Sequence, residues 1–167
     1  MNRLFLAIPV TMFDYTSLQN DFEGLIQGKW IIPENLHLTL NFFGDRFEEE
    51  FLTELLSTLE LKIEPSTLEG LGLLEHNNIL YAQTPNDSLS SLHDYIREAL
   101  MLPLEQEFIP HVTLMRMKKV KHPTLFKQTL SSYEGKAIGV LHPKIQLIKS
   151  RITTTGAQYT LVKEFGS

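Results

Sequence analysis

Cysteine is the most informative absence in this chain of 167 residues, which contains none. Without it the protein has no disulfide bond, no thiolate nucleophile and no cysteine-ligated zinc site. Long apolar runs are missing too, since no stretch approaches the roughly 18–20 residues of a membrane span. The apolar start at residues 3–8 is short and is followed by Pro9, so it predicts a first strand rather than a signal peptide. These absences favour a cytoplasmic protein with no membrane partner.

An excess of basic residues is also absent. The formal net charge of −5 argues against a protein that coats long nucleic acids. The charge is uneven, because residues 1–83 hold 4 Lys/Arg and 13 Asp/Glu, whereas residues 84–167 hold 11 and 7. A positive half within an acidic protein suits a small anionic ligand, and a solvated basic face explains the same numbers equally well.

The length and composition indicate one domain spanning residues 1–167. Hydrophobic residues make up 43% and charged residues 21%, which is typical of a globular protein with a substantial core. No linker divides the chain, and we expect a monomer.

A four-residue motif, His-x-Thr-Leu, occurs at His37–Leu40 and again at His111–Leu114. In a strand, residues i and i+2 point to the same face, so each copy places His and Thr on one face and two aliphatic residues on the other. One copy alone is most simply a His on the solvent side of an edge strand. Because the surroundings repeat as well, the pair favours one shared site.

The repeat extends beyond the motif. Phe5 in the first predicted strand precedes His37 by about as many residues as Leu80 precedes His111, and each interval holds a strand, a helix and the motif strand. We interpret this as a duplication into two strand-helix-strand lobes related by a pseudo-twofold axis. The predicted fold is therefore α+β and bilobal, with antiparallel sheets lining a central cleft that both His/Thr faces enter.

Periodicity and turn residues predict the individual elements. A capping box at Thr16–Gln19 begins a first helix that Gly28 ends, and Trp30 begins the next strand. The other predicted helices are 48–59, 88–101 and 124–131, and the other predicted strands are 3–8, 36–43, 68–74, 79–83, 111–117, 136–141, 144–151 and 158–165.

Two histidines suit general acid–base catalysis near neutral pH, because the unperturbed pKa of histidine is about 6.5. They must begin in opposite protonation states, one accepting and one donating a proton. Threonine hydroxyls suit phosphate oxygens, so Thr39 and Thr113 fit a metal-free displacement at a phosphodiester. The alternative is a metal site, but His37 and His111 supply two ligands and no third lies at obvious spacing.

No cofactor is therefore expected. The remaining histidines are expected to be solvent-exposed and without a role: His76, His93, His122 and His142.

The motifs and their frame resemble the 2H phosphoesterase superfamily, and within it the bacterial RNA 2′,3′-cyclic phosphodiesterases, also called 2′-5′ RNA ligases. The resemblance covers nearly the whole chain and is carried by residues 3–8, Trp30, 33–40, 42–44, 110–116, Ser150, Arg151, Gly156 and Tyr159.

The resemblance implies hydrolysis of the 2′,3′-cyclic phosphate end of RNA to a 2′-phosphate, with reversible 2′-5′ RNA ligation as a further activity. In the terms of that family His37 is the proton donor and His111 the proton acceptor, while Thr39 and Thr113 hold the phosphate. Arg116 and Tyr159 are further substrate-binding candidates. Arg116 reaches the motif face only if its strand bends or bulges.

The chain departs from the family at several positions. Asn41 stands where relatives often carry a base, Met115 where a small residue is usual, and the segment 75–81 lacks the usual Arg and aromatic residues. Two alternatives therefore stay open: another small cyclic phosphate or nucleotide as the substrate, and a non-catalytic nucleotide- or RNA-binding module. The predicted partners are RNA ends or small cyclic nucleotides.

Overall fold

The structure is a computed structural model that describes residues 2–85, 87–103 and 107–166. Its strands are β1 (Asn2–Met12), β2 (Ile26–Trp30), β3 (His37–Gly44), β4 (Ser66–Glu69), β5 (Leu71–Leu74), β6 (Ile79–Gln83), β7 (His111–Val120), β8 (Ala137–Leu141), β9 (Ile145–Thr153) and β10 (Gly156–Phe165). Its helices are α1 (Tyr15–Asp21), α2 (Glu49–Thr58), α3 (Ser88–Ala99) and α4 (Pro123–Ser132). Within the described ranges, no helix is long and apolar enough to cross a membrane.

The strands form a large antiparallel sheet in which the two motif strands are neighbours. The main order is β10-β9-β1-β3-β7-β6-β5, while β2 pairs with β7 and β8 joins β1 to β4. β3 meets β7 through Leu38 opposite Val112. The predicted α+β fold with antiparallel strands is confirmed. Each motif strand also pairs with the first strand of its predicted lobe, β3 with β1 and β7 with β6. The pseudo-twofold axis stays a prediction.

The core forms on the aliphatic side of the motif strands. Leu38, Leu40, Val112 and Leu114 are at most 1% exposed and belong to one large hydrophobic cluster, which the helices also enter. Burial of each such side chain stabilises the fold by about 1.5–3 kcal/mol, so the face of the sheet opposite the His/Thr side contributes strongly to stability. The two polar faces are therefore left to line a common surface.

Both motif strands carry a β-bulge at the same point. In β3 the partners run from Ala7 opposite Thr39 to Leu6 opposite Asn41, so Leu40 is the extra residue. In β7 they run from Tyr81 opposite Thr113 to Leu80 opposite Met115, so Leu114 is the extra residue. A bulge changes which face the following side chains occupy. Consequently Phe42 and Arg116, three residues beyond each motif Thr, rejoin the His/Thr side.

The first helix is shorter than predicted. Its N-cap is Asp14, whose side chain accepts a hydrogen bond from the Ser17 amide, so the predicted capping box at Thr16–Gln19 is wrong. The chain leaves the helix through Gly24 at φ +79°, and Gly28 lies inside β2 instead of ending the helix. A Cβ on Gly28 would lie 2.3 Å from the Arg116 carbonyl oxygen. Glycine is needed there because β2 approaches β7 closely.

Two further predictions need correction. The predicted strand over 68–74 is two strands, because Gly70 at φ +78° turns the chain from β4, which pairs with β8, to β5, which pairs with β6.

His93 was predicted to be solvent-exposed, but only 6% of its surface is exposed. Its ring stacks on Phe108 at 4.1 Å between centroids, and its Nδ1–H donates to the Leu40 carbonyl at 2.7 Å. His93 therefore stabilises the bulge of β3 through a hydrogen bond to the carbonyl of Leu40, the extra residue.

Candidate active site

A cavity of about 590 Å³ opens over the polar side of the motif strands. Its lining includes His37 and Thr39 from β3, and His111 and Thr113 from β7. The pairing of β3 with β7 brings these four side chains together, because the aliphatic residues between them are buried in the core on the other side.

The two imidazoles are oriented in the same way. His37 Nδ1 lies 2.7 Å from the Asn35 carbonyl oxygen, and His111 Nδ1 lies 2.7 Å from the Ile109 carbonyl oxygen. A carbonyl oxygen only accepts hydrogen bonds, so each Nδ1 carries a proton and donates. This fixes the tautomer of both neutral rings and leaves each Nε2 as the atom that can accept or donate a further proton. His37 Nε2 lies 3.1 Å from Thr39 Oγ1.

His37 has the more enclosed surroundings of the two histidines. The ring centroids of Phe5 and Tyr159 lie 5.1 Å and 5.5 Å from that of the imidazole. Burial lowers the pKa of His37 below its ordinary value, the hydrogen bond to Asn35 raises it, and the nearby His111 lowers it. The net result is a lowered pKa. The imidazole of His37 is therefore neutral at pH 7 when no anion is bound.

His111 has a different aromatic neighbour. The ring of Tyr81 lies edge-on to it, with 5.5 Å between centroids. Tyr81 has this position because Gly72 faces it across β5 and β6, where a Cβ would come within 2.6 Å of the Tyr81 hydroxyl oxygen. The small residue at position 72 thus gives room to the ring that packs against His111.

Both of the further predicted contacts, Arg116 and Tyr159, line the cavity. Arg116 is there because the bulge at Leu114 returns it to the motif side, which is the condition on which its prediction depended. Tyr159 lies on β10 opposite Ser150 of β9. Burial raises the pKa of the Tyr159 phenol and the charge of Arg116 lowers it, with a raised pKa as the net result. The phenol is thus a neutral hydrogen-bond donor at physiological pH.

Several lining residues were not assigned to the site from the sequence. Arg3 and Lys29 add two positive charges to that of Arg116, and no carboxylate lines the cavity within the described ranges. Lys29 was missed because it falls between the predicted end of the first helix at Gly28 and the predicted start of the next strand at Trp30. The remaining additions are mainly aromatic or apolar and include Phe5, Trp30, Ile32, Phe42 and Ile152. Thus the cavity combines positive charge, hydroxyl groups and exposed rings.

The other histidines do not line the cavity. His76 and His122 are exposed, and His142 Nε2 lies 2.8 Å from Thr11 Oγ1 near the junction of β1 with β8. Among the residues that the structure describes, no group of three or more His, Asp or Glu side chains is placed to hold a metal ion.

Comparison with known proteins points to one family. The family model described as LigT-like phosphoesterase matches residues 14–81, which include the first motif. A protein of Methanocaldococcus jannaschii named RNA 2′,3′-cyclic phosphodiesterase is 31% identical over 98% of this chain and 99% of its own. A protein of the same name from Aquifex aeolicus is 30% identical, with 89% and 86% covered. The crystal structure of E. coli LigT complexed with 3′-AMP has a similar fold, with a TM-score of 0.74 and 21% identity over 98% and 97% of the two chains.

Proposed function

The chain belongs to the LigT-like phosphoesterase family of the 2H superfamily, and from this premise we propose that it hydrolyses the 2′,3′-cyclic phosphate end of RNA to a 2′-phosphate. The relatives that match nearly its full length carry that activity in their names. We further propose that residues 1–167 act as one phosphoesterase domain in the cytoplasm.

One observation carries the proposal: two histidines on neighbouring strands face one cavity with the same tautomer. Each ring donates its Nδ1–H to a backbone carbonyl oxygen, with 2.7 Å between Nδ1 and the oxygen. This leaves Nε2 as the atom that exchanges a proton with a bound substrate. A binding module has no need of two titratable rings prepared in this way, whereas acid–base catalysis requires them. The hydroxyls of Thr39 and Thr113 stand beside the rings and suit the non-bridging oxygens of a phosphate.

The proposed reaction is an in-line displacement at phosphorus. Nε2 of His111 accepts a proton from water as the water oxygen bonds to phosphorus. The bond from phosphorus to O3′ breaks, and Nε2 of His37 donates a proton to that oxygen, so the phosphate stays on O2′. The two rings have then exchanged protonation states, and exchange of a proton with solvent restores them. Ligation follows the same path with an RNA 5′-hydroxyl in place of water, so the phosphate then joins O2′ of one chain to O5′ of the other.

The donor role of His37 depends on the substrate. Its pKa is lowered in the ligand-free protein, and a donor must be protonated. A bound phosphate anion next to the imidazole favours the protonated form and raises the pKa again. The Asn35 carbonyl favours it too, because its hydrogen bond with Nδ1–H is stronger when the ring is positively charged. Thr39 and Thr113 are the proposed contacts of the cyclic phosphate, and Arg116 and Tyr159 are further proposed contacts of the substrate.

The test is hydrolysis of a short RNA with a 2′,3′-cyclic phosphate end, and of the four nucleoside 2′,3′-cyclic monophosphates, with EDTA present between pH 5 and 9. We expect turnover to the 2′-phosphate with a bell-shaped pH dependence. The variants His37→Ala and His111→Ala should each lose about 10²–10⁴-fold in kcat, the usual contribution of one acid or base.

The matched control is His122→Ala, which removes an exposed histidine outside the cavity. It should retain the parent rate. The proposal fails if the folded parent protein turns over none of these substrates, or if both cavity variants keep the parent rate.

A further inference from the structure

The cavity contains a pair of like charges that the reacting phosphate does not explain. Lys29 of β2 lies directly opposite Arg116 of β7, and both side chains are exposed and line the cavity. Like charges directly opposite each other across two strands destabilise a sheet. A nearby carboxylate would relieve the repulsion, yet neither residue forms an ion pair within the described part of the chain. The arrangement favours an anion between them.

This pair lies beyond the second motif along β7. Thr113 and Arg116 are three residues apart, which is at most about 10 Å along an extended strand. Lys29 is on β2, which pairs with β7 beyond the motif, whereas β3 pairs with β7 at the motif itself. Lys29 also approaches the turn between β9 and β10, since its Nζ lies 3.9 Å from the position of a Cβ on Gly156. The cavity therefore extends along β7 beyond the second motif to a pair of positive charges.

Arg3 adds a third positive charge to the lining of the cavity. It lies on β1 opposite Ser150, and Ser150 lies opposite Tyr159 in the next pair of strands. Arg3 and Ser150 both line the cavity with Tyr159. Three cations thus line one cavity that has no carboxylate among its described lining residues, in a chain whose net charge is −5. Such a local excess of positive charge attracts an anionic group.

We propose that Lys29, with Arg116 and Arg3, forms a second anion subsite that binds a phosphate of the substrate other than the cyclic one. The inference rests on the proposed function, because the cyclic phosphate is assigned to the two histidines. A second subsite of this kind favours substrates that carry at least two phosphates. The second is either the internucleotide phosphodiester of an RNA chain or a 5′-phosphate on a single nucleotide.

A binding experiment tests the subsite independently of turnover. Trp30, the one tryptophan of the chain, lines the cavity, so its fluorescence reports ligand binding. Adenosine 2′,5′-bisphosphate should bind the parent protein about tenfold more tightly than adenosine 2′-phosphate, which is the gain from one charge-assisted contact. In Lys29→Gln this advantage should fall to about twofold or less. Lys127→Gln removes the same charge from an exposed position on α4 and should keep the full advantage.

A kinetic experiment identifies the source of the second phosphate. kcat/KM is measured for adenosine 2′,3′-cyclic phosphate, for the same compound with a 5′-phosphate, and for the dinucleotide ApA with a cyclic end. A preference for the dinucleotide alone indicates the internucleotide phosphodiester, and a preference for both indicates any second phosphate. Lys29→Gln should reduce the preference, and added salt should reduce it further.

Equal binding of the mono- and bisphosphate to the parent protein overturns the subsite, as does an advantage that Lys29→Gln leaves intact. Failure of the proposed function has a different signature. In that case no cyclic phosphate is hydrolysed, while the fluorescence measurement still shows whether a second phosphate binds beside Lys29.

Discussion

At the scale of single residues, the two histidines have the same motif but different surroundings. His37 contacts the rings of Phe5 and Tyr159, whereas His111 contacts that of Tyr81. His37 combines a cavity position with a lowered pKa for which burial is the main cause. The neighbouring rings of Phe5 and Tyr159 contribute to that burial and favour the neutral imidazole when no anion is bound.

Removal of the Tyr159 ring should raise the pKa of His37. In Tyr159→Ala water reaches the imidazole, the desolvation of the protonated form is relieved, and the pKa moves up toward the ordinary 6.5. The measurement is an NMR titration of the His37 ring protons. Tyr159→Phe keeps the ring and serves as the control, with the pKa still lowered. An unchanged pKa in Tyr159→Ala would contradict this account of the burial.

The lowered pKa of His37 also makes the stability of the folded protein depend on pH. A histidine whose pKa is lowered on folding binds more protons in the unfolded chain, so its contribution is present above the unfolded pKa of about 6.5. That contribution is lost as the pH falls toward the lower pKa of the folded state. His37 therefore contributes to acid sensitivity.

At the scale of elements, bulges and close strand contacts determine which side chains reach the cavity. The bulges at Leu40 and Leu114 bring Phe42 and Arg116 to the motif side. The close approach of β2 to β7 at Gly28 places Lys29 opposite Arg116. These are backbone features, and each one changes the composition of the site without any change in the motifs.

Gly28→Ala should destabilise the protein by about 1–3 kcal/mol, the usual cost of inserting an atom where a packed structure has no room. The added Cβ would meet backbone atoms of Arg116 and Met117, which cannot move aside as a flexible side chain can. Urea unfolding gives the change in the free energy of unfolding. Gln27→Ala, at an exposed position of the same strand, should change it by less than about 0.5 kcal/mol. Similar values for the two variants would contradict the close contact.

At the scale of the whole molecule, the site exists only where the two halves of the chain join. β3 and β7 pair through Leu38 and Val112, and both side chains are fully buried. The aliphatic positions of the motifs therefore hold the halves together, while the polar positions of the same strands line the cavity. A substitution that weakens the packing between β3 and β7 should therefore also disturb the cavity, because alternate residues of the same two strands serve both.

A double-mutant cycle on Leu38→Ala and Val112→Ala should reveal this link. Leu38→Ala should cost about 2–5 kcal/mol in unfolding free energy, because it leaves a cavity in the core. The two substitutions should also be non-additive by about 0.5–3 kcal/mol, as is usual for residues in contact. Leu125→Ala, at an exposed position on α4, should be nearly neutral and additive with either. Strict additivity of the buried pair would contradict direct coupling between the halves.

The sequence by itself determined the aliphatic and polar faces of the two motifs, because the side-chain alternation of a strand is local and follows from residue order. It also indicated the α+β class and most helices and strands, whose periodicity is local as well. It did not reveal the bulges, the strand β2, the burial of His93 or the position of Lys29. Tertiary structure decided these features, because a bulge, a close strand contact or a buried polar ring depends on a partner distant in the chain. The sequence left open whether the positive half of the chain is a solvated face or a ligand site, and only the pairing of β2 with β7 placed Arg116 of that half opposite Lys29 of the acidic half.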